Sequence, residues 1–69
     1  MNKLSAMPDD GQFVAIWRID GVVFSATFLH DDGELLAYDF MRDDWVVEHG
    51  YTERALMEMG AVFFRVEDE

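Results

Sequence analysis

The chain has no cysteine, one proline and two histidines, and its cations are few: 5 Lys+Arg against 15 Asp+Glu, a formal net charge of −10. Without cysteine there are no disulfides and no thiolate metal sites, which suits a reducing cytoplasm, the compartment we expect. So few Lys and Arg argue against direct nucleic-acid binding, because neutralising phosphates needs clustered cations. The same deficit opposes docking on anionic lipid. No run is long or apolar enough to suggest a membrane span, and residues 1–8 do not read as the apolar core of a signal peptide.

Apolar residues are well represented, at 51% of 69, including ten aromatics among Phe, Trp and Tyr. That supports a packed core rather than disorder. A chain this short buries only roughly 60% of its unfolded surface, so we expect one small α+β domain over residues 12–69 behind a flexible tail at 1–11.

The organising stretch is 13–40. Asp20 and Gly21 separate two apolar runs, 13–19 and 22–29, and Asp-Gly between such runs signals a hairpin because a type I′ turn needs positive φ at both central residues. The turn fixes the register. Ile19 faces Val22, Trp17 faces Phe24, Ala15 faces Ala26 and Phe13 faces Phe28, all on one face.

The second turn lies at Asp31, Asp32 and Gly33. A two-residue turn would carry Asp39 onto the core face, and an unpaired buried carboxylate is costly. A three-residue loop with Gly33 left-handed is therefore expected, which turns Leu36, Tyr38 and Phe40 inward. Asp39 then projects from the uncovered face, beside Val14, Ile16, Val23, Leu29, Leu35 and Ala37.

A short fourth strand at 45–49 is expected to set Phe40 against Trp45 and Tyr38 against Val47. A helix follows at 51–60, with Thr52 as N-cap, Glu53 complementing its positive end, Gly60 as its stop and Tyr51 stapled to Leu56. Ala55, Leu56 and Met59 form a stripe too short to stand without a sheet beneath it. A last strand at 61–67 pairs beside the first. The expected fold is a five-stranded antiparallel sheet (ββββαβ, order 5-1-2-3-4) with one short helix on its aromatic face.

That topology sends Asp9, Asp10, Asp31, Asp32, Glu34, Glu48, Glu67, Asp68 and Glu69 to one end of the sheet. Asp20, Asp43, Asp44 and Glu58 go toward the other. Asp favours turns and negative charge aids solubility, which accounts for any one of these residues. Nine like charges at one end, however, raise repulsion within a small domain, and a basic partner surface would relieve it.

Other constellations carry less. His30 and His49 fall near the acidic end without a metal-binding spacing. Asp31, Asp32, Gly33 and Glu34 lack the alternating ligands of a calcium loop. Glu48 and His49 form an acid/base pair without a nucleophile or a phosphate cradle, so no enzyme, cofactor or metal is expected. The aromatics have no interleaved cations and read as core.

In its clusters Asp9-Asp10, Asp31-Asp32-Gly33-Glu34, Asp43-Asp44 and Glu67-Asp68-Glu69 on a small cysteine-free chain, the sequence resembles the acidic anti-CRISPR and other DNA-mimic inhibitors of phages and mobile elements. The likeness is one of size and charge across the whole chain, with no shared motif. It implies an inhibitor acting without chemistry in a host cytoplasm. Carboxylates at Asp31, Asp32, Glu34, Asp39, Asp43, Asp44, Glu48, Glu67, Asp68 and Glu69 would stand in for phosphates in a Lys/Arg-lined channel of a DNA-binding protein or CRISPR effector, such as one reading the protospacer-adjacent motif. The alternative is a homo-oligomeric adaptor that uses the apolar uncovered face or an edge strand, with charge serving solubility.

Overall fold

The structure, a computed structural model, describes residues 2–48, 50 and 52–66. It contains strands β1 (Asn2–Leu4), β2 (Gly11–Ile19), β3 (Val22–Asp31), β4 (Glu34–Asp39) and β5 (Asp44–Val47), the helix α1 (Glu53–Glu58) and the strand β6 (Val62–Arg65). All neighbouring strands are antiparallel, in the order β1-β6-β2-β3-β4-β5. The expectation of five strands in the order 5-1-2-3-4 is thus corrected to six. The added strand comes from the segment read as a tail: Asn2, Lys3 and Leu4 pair with Arg65, Phe64 and Phe63. Three residues give too little pattern for a strand to be recognised in sequence.

The first hairpin follows from its turn. Asp20 and Gly21 have φ of 51° and 81°, and Ile19↔Val22, Trp17↔Phe24, Ala15↔Ala26 and Phe13↔Phe28 are in register. Phe13, Ala15, Trp17 and Phe28 are buried with Phe63 and Leu56, and this is the core. Phe13 stacks on Phe28 at 5.5 Å between ring centroids and meets Phe63 edge-on at 6.1 Å. Leu56 delivers the helix to this face. Thr52 Oγ1 accepts from the Ala55 N–H at 3.1 Å to cap it, and Gly60 follows the last turn at positive φ. The staple between Tyr51 and Leu56 lies outside the described residues.

The second hairpin departs from expectation. Asp32 and Gly33 have φ of 51° and 82°, and Asp31 pairs with Glu34, so the turn has two residues and not three. Every side chain of β4 changes face as a result. Leu35 and Ala37 pack against the core, while Leu36 and Tyr38 lie on the face without a helix. Phe40 falls in the β4–β5 turn, largely exposed. Tyr38 pairs with Trp45, and Leu36 with Val47, a shift of two residues from the expected register.

The objection to the two-residue turn was Asp39, now on the core-side face and not on the uncovered one. It sits at the end of β4, where its carboxylate accepts from the backbone N–H of Met41 at 2.9 Å and of Arg42 at 3.2 Å and lies 3.9 Å from the Arg42 guanidinium. An Asp side chain bonding the backbone two residues on is a turn-forming device. The expected desolvation penalty is therefore not incurred.

Candidate functional site, an acidic rim

The ladders fix which residues share an end of the sheet. Gly11 pairs with His30, placing Asp9 and Asp10 beside the end of β3. Asp31 pairs with Glu34 around Asp32. The Glu48 N–H donates to the Leu35 carbonyl at 2.9 Å, which puts Glu48 at the same end. Six of the nine carboxylates expected there are thus gathered, and Glu67, Asp68 and Glu69 lie outside the described residues.

Ion pairs among the described residues join Arg42 to Asp39, Arg54 to Glu58 and Arg65 to Asp10. Only the last belongs to the rim. Arg65 reaches across Gly11, donating from Nη1 to the Asp10 carbonyl at 2.8 Å while Nη2 lies 3.6 Å from the Asp10 carboxylate. A Cβ on Gly11 would stand 2.7 Å from Nη1, and Gly11 has φ of 78°, so this position needs glycine for two reasons. Asp9, Asp31, Asp32 and Glu34 are exposed, and Glu48 is half-buried with Oε1 accepting from the Gly50 N–H at 2.7 Å.

Turn chemistry explains part of this rim. Asp32 occupies a left-handed position that Asp and Asn tolerate. Asp31 and Glu34 are ordinary strand positions that any β-forming residue could fill. Like charges directly opposite in a ladder are destabilising, since their Cβ atoms lie about 5 Å apart. The chain nevertheless sets these two carboxylates face to face. It does so again at the other end, where Asp39 pairs with Asp44.

Asp43 and Asp44 do not join the rim. They belong to the β4–β5 turn with Asp39, at the opposite end of the sheet. Asp43 has φ of 55° and accepts a hydrogen bond from the Tyr38 hydroxyl, and Asp44 Oδ1 accepts from the Trp45 N–H at 2.8 Å. These three serve the turn.

His30 is not a rim ligand either. Its Nδ1 lies 2.7 Å from the Pro8 carbonyl, so Nδ1 must carry the proton and donate, and its ring lies 6.0 Å from that of Phe13. His49 lies outside the described residues. Among the described residues no three His, Asp or Glu side chains gather to hold a metal ion. One depression, of about 320 Å³, is lined by Ile16, Trp17, Arg18, Val23 and Gly60, with Arg18 its only ionisable group.

The face opposite the helix is richer in aromatics than expected. Leu36, Tyr38 and Trp45 replace Leu35 and Ala37 beside Val14, Ile16 and Leu29, and the Tyr38 ring meets Trp45 at 5.3 Å and Phe40 at 4.8 Å. The two-residue turn is the cause, and sequence reasoning missed it by treating Asp39 as unpartnered. No helix of the described residues is long and apolar enough to cross a membrane. No protein-family model, curated protein or solved structure matches the chain.

Proposed function

We propose that the chain is a non-enzymatic inhibitor whose acidic rim occupies a Lys/Arg-lined, nucleic-acid-binding surface of another protein. The observation that carries this is the pairing of Asp31 with Glu34 beside Asp32. Two of the three are not required by the turn, and their opposition lowers the stability of the hairpin that bears them. A row of carboxylates on a rigid turn offers a basic groove the same sign of charge as successive phosphates. Since phosphate contacts supply much of DNA affinity, such a decoy competes without base contacts or chemistry. A CRISPR effector that reads a protospacer-adjacent motif is one partner of this kind.

The test is capture from a host lysate on the immobilised protein at low salt, followed by a salt gradient. A DNA-binding effector should elute as salt rises and be displaced by duplex DNA. The variant Asp31→Asn/Asp32→Asn/Glu34→Gln should not retain it. Asn-Gly is itself a preferred type I′ pair, so this variant keeps the turn. Equal capture by both proteins would refute the reading.

A further inference from the structure

The two ends of the sheet differ in character. The rim is acidic, whereas Ile19, Val22, Val23 and Phe24 at the tip of the first hairpin, and Phe40 and Met41 in the β4–β5 turn, are all exposed. The first hairpin also outruns its neighbours. β4 pairs with β3 only from Phe28 to Asp31, with Thr27 at its limit, so residues 22–26 are paired with β2 on one side alone.

The hydrogen-bonding parity of this stretch follows from its turn. Ile19 and Val22 close a two-residue hairpin as a hydrogen-bonded pair, so Val22, Phe24 and Ala26 direct their N–H and C=O groups toward β2. Those of Val23 and Ser25 point the other way, and among the described residues no backbone group of another strand pairs with them, whereas the Thr27 carbonyl accepts from the Tyr38 N–H beside the Phe28↔Ala37 pair.

Exposed edges are normally short, charged, bulged or broken by proline. The outer strands of this sheet comply: β1 has three residues and carries Lys3, and β5 has four and begins with Asp44. The open stretch of β3 has none of these devices. Residues 22–29 contain no charge and no proline, and Val22 and Val23 are 55% and 57% exposed.

We infer that this edge is the interface between two copies of the chain, joined antiparallel about a two-fold axis at Phe24. Val23 of each copy then pairs with Ser25 of the other, making about four main-chain hydrogen bonds. The two Phe24 rings, each 42% exposed, meet across the axis. Val22 faces the other copy's Ala26, so the paired stretch ends one position short of Thr27, where β4 begins to pair.

Charge selects a second copy as the occupant. A chain of net charge −10 repels itself, but residues 12–29 hold only Arg18 and Asp20, one of each sign. The open stretch of β3 itself carries no charge to oppose a second copy. Pairing there also leaves the two acidic rims at the far ends of the dimer. A basic partner, by contrast, has nothing to gain at a neutral edge.

The experiment is sedimentation velocity on the full chain from about 10 µM to about 1 mM, with hydrogen exchange at both extremes. The expected result is a concentration-dependent dimer that tightens as salt screens the net charge, with Val23 and Ser25 amides protected only in the dimer. Ser25→Pro removes an N–H that β2 does not use, and Val23→Lys places a charge on the edge. Either should weaken the dimer by about 100-fold or more. Asp31→Asn/Asp32→Asn/Glu34→Gln should leave it intact, which separates this interface from the rim. A monomer at every concentration, a dimer indifferent to both edge variants, or one lost only on Trp45→Lys in the open face would each overturn the proposal.

Discussion

Asp31 stands directly opposite Glu34 across the β3–β4 ladder, with Asp32 in the turn between them. Three carboxylates thus crowd one tight hairpin whose geometry requires only the middle one. Separations of about 5 Å lie within the Debye length of about 10 Å at 0.1 M salt, so screening in ordinary buffers does not remove their repulsion.

Neutralising one member should therefore stabilise the protein while weakening the proposed binding. Glu34→Gln is expected to raise stability by about 0.2–1 kcal/mol, a melting shift of about 1–8 °C for a domain of this size. Thermal denaturation followed by circular dichroism checks it. A drop in melting temperature would mean that Glu34 has a stabilising partner.

The register of β4 can be tested by a pair of variants. Leu35 packs against the core and Leu36 lies on the opposite face. Leu35→Asp should unfold the chain, because it buries an unpaired carboxylate. Leu36→Asp should remain folded. The reverse outcome would restore the three-residue loop.

The N-terminal strand is expected to contribute measurably. β1 pairs with β6, Met7 packs against the core and the Pro8 carbonyl accepts from His30. Removing residues 1–7 should lower the urea midpoint and expose the outer edge of β6. An unchanged midpoint would show that β1 adds nothing.

The core and the helix cap give graded effects. Phe13→Ala should cost about 3–5 kcal/mol, most of the stability of so small a domain, and leave little folded protein at 37 °C. Thr52→Ala removes the acceptor for the Ala55 N–H and should cost about 1 kcal/mol. Chemical denaturation of both variants sets the scale against which changes at the rim are read.

Much of this was legible in the residues. The Asp20-Gly21 turn fixes the pairing of all nine positions of the first hairpin, because positive φ at both turn residues leaves one register. Thr52 and Gly60 mark the helix because each supplies what a helix end needs. The face of β4 was not legible, since it depended on whether Asp39 had a partner. That partner is the backbone of its own turn, at Met41 and Arg42. β1 was hidden for a different reason: its pairing is with β6, sixty residues away, and no local pattern carries that information. The rim followed from the order of turns, and Asp39, Asp43 and Asp44 separated from it because they build the opposite turn.

The most direct test of the proposed function is displacement of a labelled DNA duplex from the effector recovered by salt-graded capture, followed by fluorescence polarisation between about 50 and about 200 mM salt, the range over which phosphate-type contacts lose most affinity. The native chain should displace the duplex with a potency that falls steeply as salt rises. The Asp31→Asn/Asp32→Asn/Glu34→Gln variant, folded and still self-associating, should fail to displace it. Equal displacement by the two proteins, or a potency indifferent to salt, would contradict the account.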